Sequence, residues 1–328
     1  MTGAVYNRPA ISRFADINLR LFIDTNVLID YAEGFTERDS MKFVDLFRAN
    51  DFKHIDLVTS DYVLWEFYGH FREEFYIKKL VTELHYGYVS ANKKCNRGKY
   101  EKATLKDMET FGKEIDKYEK SFDNSPVTIE RLIGKDNQGF SDMVEVLLQC
   151  SKFSYKDSII FVSALFTNSS LIITHDQTFS CDNHLEELKE ALSNLKEPLK
   201  VELDFKRPSD FSTPELVKRN YQEWFIAKNK DKAIGFVTKI WPRKKIAAIQ
   251  CVGENFIRIG DYLCLVKFEQ NNNCLMSIFE VKKGTLQDYS SEEKISEGKK
   301  VTLCMPVEGS LNVYVGAMVF LYSYESVH

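Results

Sequence analysis

The 328-residue chain predicts an α/β domain built on a short parallel sheet, followed by a small all-β barrel domain. Three observations carry this. Short apolar runs alternate with helical periodicity from Leu19 to about Phe205, as in βαβ units. From Ala233 onward the period switches to two, with turn residues between the runs. Between these parts, around residues 193–214, fall three of the seven prolines (198, 208 and 214), which mark a boundary.

Residues 1–18 show no period and read as an N-terminal arm. The first strand lies in LRLFIDTNVLID, residues 19–30, where the apolar run from Leu21 to Ile23 ends abruptly on Asp24. A run without polar residues reads as a strand buried on both faces, which puts Asp24 at its carboxyl end. Ile55 to Val58 is the second strand, and a helix follows from Asp61 to about Lys79. Leu171 to Thr174 is the third strand and Leu199 to Phe205 the fourth. A long helical region separates the second and third. There Leu105, Met108, Phe111, Ile115, Tyr118 and Phe122 recur every three or four residues, a single apolar stripe that must pack on something.

Residues 206–231 read as a linker and a connecting helix. Ser212, Pro214 and Glu215 offer a hydroxyl cap, a proline in the first turn and an acid three residues after the cap. Over 232–328 the turn signals Gly253 to Asn255, Gly260-Asp261, Asn271 to Asn273, Glu297-Gly298 and Glu308-Gly309 separate short β-rich runs. Many short strands at that spacing point to a small closed barrel.

Composition narrows the class. Apolar residues make up 44% and charged residues 28%, the balance of a soluble protein with material for a core. No apolar run approaches the roughly 20 residues of a membrane span, and no secretory segment is present, so a cytoplasmic protein is expected. The seven cysteines form no close pair and read as reduced core residues. Net charge hides an asymmetry: residues 1–200 hold 26 Lys+Arg against 32 Asp+Glu, a balance of −6, while residues 201–328 hold 18 against 16, or +2. The basic run between Lys218 and Lys245 suits an anionic ligand held by one part and cut by the other, or else is a solvated face.

The acids carry the chemistry. Asp24 and Asp176 both follow strands, and two such strands side by side would aim two carboxylates at one crevice. Asp157 begins a helix, where the dipole favours a carboxylate. Glu66 lies one or two turns into the helix after the second strand, among the apolar Val63, Leu64 and Phe67. Four convergent acids repel, and Mg²⁺ or Mn²⁺ relieves that with oxygen ligands. Such ions generate hydroxide from water and stabilise an in-line phosphodiester displacement. Other chemistries lack their residues: no Gly-rich phosphate loop or GxSxG occurs, and Asp24-Thr25-Asn26 lacks the second Asp of a haloacid-dehalogenase-type phosphatase. Cys181, His184 and His175 are too few donors for a zinc site.

Four segments in order, DTN at 24–26, the stretch from Ser60 to Glu66, Lys156-Asp157 with the Ser-Ile-Ile that follows, and ITHDQTF at 173–179, together resemble a PIN-domain nuclease. The resemblance covers residues 19–205. It implies a three-layer α/β domain around a short parallel sheet and a Mg²⁺- or Mn²⁺-dependent endoribonuclease. It assigns catalysis and metal ligation to Asp24, Glu66, Asp157 and Asp176, with Asn26 and Thr174 holding carboxylates or a water. One departure is length: 90 residues separate Glu66 from Asp157, more than small members need. The surplus, about residues 86–137, includes the basic-aromatic segment with Lys93, Lys94, Arg97, Lys99 and Tyr100. A lid over nucleic acid, a homodimer contact and a structural elaboration are all open to it.

The last part, through Gly235 to Lys239, Ile246 to Ile249, Ile259-Gly260-Asp261, Ser277 to Val281 and Glu297 to Leu303, resembles the second-domain barrel of translational GTPases. What precedes it is not a GTPase domain, so GTP is not implied. Trp241, Arg243, Lys244 and Lys245 fall between two strands, where an aromatic and three cations either track a nucleic-acid backbone or cap a solvated hairpin. The expected partners are an RNA substrate, with tRNA and rRNA as candidates, and an inhibitor or ribosomal protein. A non-catalytic RNA-binding or assembly factor, and a 5′-nuclease-like enzyme on DNA, are the alternatives.

Overall fold

The computed structural model describes residues 18–34, 38–50, 52, 54–95, 104–133, 138–149, 153–176, 190, 203–229, 233–241, 246–251, 255–258, 262–266, 274–277, 280–283, 292–295, 300–304 and 318–322. The chain divides into two compact units, Asn18–Val217 and a second from Lys218 onward.

The first unit is α/β. Its strands are β1 (Leu19–Ile23), β2 (Ile55–Ser60), β3 (Val127–Glu130), β4 (Leu171–Ile173) and β5 (Asp204–Lys206), in one sheet of order β3-β2-β1-β4-β5. Every pairing in it is parallel. The helices are α1 (Thr25–Glu33), α2 (Asp39–Ala49), α3 (Asp61–Thr82), α4 (Tyr88–Cys95), α5 (Leu105–Asp123), α6 (Gln138–Gln149) and α7 (Tyr155–Phe166). β1 is central because its side chains suit burial on both faces: Leu19, Leu21, Phe22 and Ile23 are all fully buried. The order means that the chain walks one way through β1, β2 and β3 and then returns to the other side of β1 with β4 and β5. The strand order therefore reverses between β1 and β4, and their carboxyl ends form the crevice where such sheets hold ligands.

Local signals fix where the helices begin. Ser60 caps α3, its hydroxyl accepting from the Val63 amide at 3.4 Å. Thr104 and Asp107 form a capping box on α5. The α1 helix ends on Gly34, whose φ of 72° is left-handed and cheap for glycine.

The stripe predicted on residues 105–122 finds its partner only in part. Tyr118 stacks on Phe71 at 4.0 Å and Phe122 meets Phe67 at 5.0 Å, whereas Leu105 and Met108 at the other end are 81% and 63% exposed. The region expected to be a helical insertion also contains β3, which continues the sheet beyond β2. Residues 199–202 of the expected fourth strand lie outside the described residues; the strand seen is β5. Part of the expected linker is packed: Pro208–Phe211 form a 3-10 turn, with Phe211 fully buried edge-on to Phe43 at 6.0 Å.

The helix α8 (Pro214–Asn229) is capped by Thr213 rather than Ser212, the Leu216 amide donating to the Thr213 hydroxyl at 3.3 Å. The second unit holds β6 (Ala233–Trp241), β7 (Ile246–Cys251), β8 (Asn255–Arg258), β9 (Tyr262–Val266), β10 (Cys274–Ser277), β11 (Glu280–Lys283), β12 (Glu292–Ile295), β13 (Lys300–Cys304) and β14 (Met318–Tyr322). Seven of them form an antiparallel sheet of order β10-β9-β14-β6-β7-β13-β11, and β12 pairs with β8. A Cβ at Gly235 would sit 2.3 Å from the Gln250 carbonyl oxygen, so only glycine permits β6 to lie this close to β7. Phe225 of α8 meets Phe320 of β14 edge-on at 6.2 Å. No helix among the described residues is long and apolar enough to cross a membrane.

Candidate metal centre at the sheet switch point

The end of β1 places Asp24 where the strand order reverses. Its amide donates to the Ile173 carbonyl of β4 at 3.1 Å, tying the two strand ends together. Asp24 then serves as the N-cap of α1, with Oδ1 accepting from the Thr25 amide at 2.6 Å. Its Oδ2 accepts from Asn26 Nδ2 at 2.7 Å and from Thr174 Oγ1 at 2.5 Å. Asn26 also reaches Thr174 Oγ1 at 3.1 Å and accepts from the His175 amide at 3.1 Å. The Asp176 amide donates to Thr174 Oγ1 at 2.9 Å. Asp24, Asn26, Thr174 and Asp176 thus form one hydrogen-bonded group across the ends of β1 and β4.

Glu66 joins from α3. Its Oε2 accepts from Thr25 Oγ1 at 2.9 Å, and its Oε1 pairs with Lys156 Nζ of α7 at 3.0 Å. Sequence reasoning gave neither Thr25 nor Lys156 a role. Lys156 was adjacent to Asp157 in the quoted motif, but a lysine on a helix surface carries no signal of its partner.

Electrostatics single out Asp24. Only 2% of it is exposed, and its carboxyl pKa is raised from 3.8 to about 7. Burial is the largest cause; the hydrogen bonds from Thr174 and Thr25 pull the other way, and the charges of Glu66 and Asp176 push further up. A buried carboxylate facing two more is the arrangement a divalent cation relieves. The donor set is carboxylate oxygen with a hydroxyl and an amide beside it, the kind of set that hard divalent cations take.

Asp157 lies in the first turn of α7, at the helix start where the sequence put it. Its amide donates to Ser154 Oγ at 3.2 Å while its Oδ2 accepts from the Ser154 amide at 3.0 Å, a capping box that starts α7. The carboxylate is engaged by its own helix terminus. Nor do the four acids draw together as one tight set of ligand atoms. Among the described residues such a group, with all ligand atoms within 4.8 Å of one another, is Glu33, His70 and Glu74 instead. The reason is local: Lys156 and Thr25 hold Glu66, and Ser154 holds Asp157.

A polar network borders the site. Asp30 of α1 is buried, pairs with Arg38 and accepts from Ser40 Oγ at 3.1 Å. His175 Nε2 lies 3.2 Å from Asp30 Oδ2 and also meets Ser40 Oγ. Burial, first of all, pushes the His175 pKa down. Ser40 is fully buried, so this is a structural brace and not an accessible nucleophile.

Of the residues expected to touch nucleic acid, Lys93, Lys94 and Trp241 are among those described. Lys93 and Lys94 are on α4, which packs on the far half of α3 through Tyr76 and Leu80. Lys94 donates to Tyr86 OH at 3.0 Å and lies over the Tyr86 ring. Trp241 ends β6, with Lys239 Nζ over its ring at 4.9 Å. Arg97, Lys99, Arg243, Lys244 and Lys245, like Cys181 and His184, lie outside the described residues. Two exposed aromatics flank the acids in sequence: Trp65, before Glu66, is 67% exposed, and Tyr155, before Lys156, is 62% exposed.

No family model and no curated protein matches this chain. Among solved structures, the C-terminal domain of a Geobacillus thermoleovorans protein described as a U32 peptidase is 14% identical. That match covers 28% of this chain and 94% of that one, at a TM-score of 0.23. The GDP- and phosphate-bound GTPase-like domain of Saccharomyces cerevisiae Ski7 is 12% identical, covering 48% of this chain and 44% of that one, at a TM-score of 0.21. A bacterial selenocysteine-specific elongation factor is 11% identical, covering 59% of this chain and 35% of that one, at a TM-score of 0.20. At such TM-scores none of these likenesses bears on fold or activity.

Proposed function

We propose that the first unit is a PIN-like three-layer domain, that the second is a small β-barrel, and that the chain is a cytoplasmic, Mg²⁺- or Mn²⁺-dependent endoribonuclease. The observation that supports this most is Asp24: a buried carboxylate at the β1–β4 switch point, raised to about 7 in part by Glu66 and Asp176. Asp24, Glu66 and Asp176 would hold the ion, with Asp157 on the adjoining helix. Bound there, the ion would supply an activated water and offset charge on the scissile phosphate.

The chain's own groups do the rest. Asn26 and Thr174 fix the Asp24 carboxylate in one orientation by donating to the same oxygen. Thr25 and Lys156 hold the two oxygens of Glu66. The Lys156 ammonium is largely exposed, so it can leave Glu66 and meet a phosphate oxygen of the substrate. The barrel would dock RNA, tRNA or rRNA being the candidate targets, or a ribosomal or inhibitory protein.

The test is cleavage of total cellular RNA by the full chain with Mn²⁺ and with chelator, mapped at nucleotide resolution, beside the Asp24→Asn variant. A second reading, a non-catalytic RNA-binding or assembly factor, draws on Lys156 and Ser154, which already occupy two of the four acids. It predicts RNA binding with no divalent-dependent cleavage. Single-stranded DNA in the same assay separates an enzyme acting on DNA.

A further inference from the structure

A second group of donors lies along the same two helices. Glu33 is the last residue of α1, held there by the Gly34 amide donating back to Tyr31. His70 and Glu74 are one turn apart on α3, on the face that also carries Glu66. The ligand atoms of Glu33, His70 and Glu74 all lie within 4.8 Å of one another, with His70 Nε2 3.5 Å from Glu74 Oε1.

The charges around these groups are unbalanced. Burial first, then the Glu74 charge, pushes the Glu33 carboxyl above the usual range, and His70 offsets only part of this. Burial and then the charges of Glu114, Glu33 and Glu74 likewise raise the Tyr118 phenol. No lysine or arginine among the described residues pairs with Glu33 or Glu74. Among the described residues, two glutamates and an imidazole from packed helices therefore face one another with no lysine or arginine ion-paired to either glutamate.

We propose that Glu33, His70 and Glu74 form a binding site for a late first-row transition-metal ion of the zinc type, bridging α1 and α3. The donor set decides the class. An imidazole nitrogen with two carboxylates suits Zn²⁺ or Co²⁺, whereas Mg²⁺ prefers oxygen throughout. Three protein ligands leave a position for water.

The site would act as a staple. Thr25 of α1 meets Glu66 of α3 at one end of the helix pair, and Glu33 meets His70 and Glu74 at the other. Eight residues at about 1.5 Å each put Glu33 roughly 12 Å along α1 from Thr25, and Glu74 the same distance along α3 from Glu66. An ion at this end therefore fixes the spacing of the helices that carry Asp24, Asn26 and Glu66, without touching those acids.

The test is equilibrium dialysis of the full chain against Zn²⁺, with bound metal quantified and the thermal midpoint followed. The wild type should take up one equivalent that Glu74→Gln and His70→Gln each weaken at least tenfold, and Zn²⁺ should raise the midpoint of the wild type but not of these variants. Glu74 is exposed, so its variant is expected to fold, and its metal-free midpoint checks that. Asp24→Asn should keep this equivalent, which separates the site from the sheet-edge acids. Equal uptake and equal stabilisation in wild type, Glu74→Gln and His70→Gln would overturn the proposal, as would no uptake by the wild type.

Discussion

The α1–α3 pair carries carboxylates at both ends, and the two ends solve the same repulsion differently. At the amino end of α1, Asp24 is buried, accepts from the Thr25 amide as the helix cap, and is held by Asn26 and Thr174. At the carboxyl end, Glu33 and Glu74 are set against an imidazole, more open to solvent and away from any strand end. Sheet topology makes the first: the reversal of strand order opens a crevice that the strand-end residues line. Helix packing makes the second. A group built on strand ends and a helix N-terminus is positioned by the sheet, whereas one between helix faces is positioned by helix packing.

That contrast can be sharpened by titration, and the largest stability effect should come from Asp24. Its folded pKa of about 7 lies above the model-peptide value of 3.8. Between pH 4 and 7 the native state therefore holds a proton that the unfolded chain has lost. The contribution to stability is full below about pH 4 and is lost as pH rises through 7, at most about 4 kcal/mol. Denaturant unfolding across this range should show the decline in wild type and a flatter profile in Asp24→Asn, with the variant more stable at pH 8. Mn²⁺ should restore stability to the wild type above pH 7 and leave the variant unchanged. A parallel profile for the two proteins would remove the distinction between the buried and the open cluster.

Ser154→Ala tests whether the capping box or catalysis governs Asp157. Loss of the cap should cost about 1 kcal/mol, measured by chemical denaturation. If Asp157 is also a ligand, the Asp157→Asn variant should lose Mn²⁺ affinity while Ser154→Ala keeps it. Calorimetric titration of the two variants reads the difference.

Lys156→Gln should have the smallest effect. Its ion pair with Glu66 is mostly exposed, so stability should change by less than about 1 kcal/mol. Removing the competing ammonium should tighten Mn²⁺ binding a few-fold while raising KM for RNA. Weaker Mn²⁺ binding would show that Lys156 orients Glu66 and does not compete with the ion.

The placing of Asp24, Thr174 and Asp176 at neighbouring strand ends was legible in the sequence, and the Glu33, His70 and Glu74 group was not. Asp24 announced itself because LFI is an uninterrupted apolar run and an acid cannot continue it. Thr174 and Asp176 repeat that signal after β4, so the pairing of these strands followed from topology. The strand β3 was hidden because VTIE is four residues long with only Val127 buried, too little for either period to register. Asp157 was legible as an acid at a helix start, yet Ser154, three residues earlier, is the same pattern read as a capping box. The prolines at 208 and 214 marked a break in helix and not in packing, since Phe211 between them is fully buried. Of Glu33, His70 and Glu74, only the one-turn spacing of the last two could be read; Glu33 arrives through the packing of α1 on α3, which no local pattern encodes.

The most direct test of the sheet-edge site is single-turnover cleavage of a short labelled RNA by the full chain and by Asp24→Asn, each with Mn²⁺ and with chelator. The wild type should cleave only with the ion, and Asp24→Asn should be slower by about a thousandfold or more, roughly 4 kcal/mol in barrier height. Equal rates for the two proteins, or wild-type cleavage that persists in chelator, would contradict a metal-dependent role for the acids at the β1–β4 crevice.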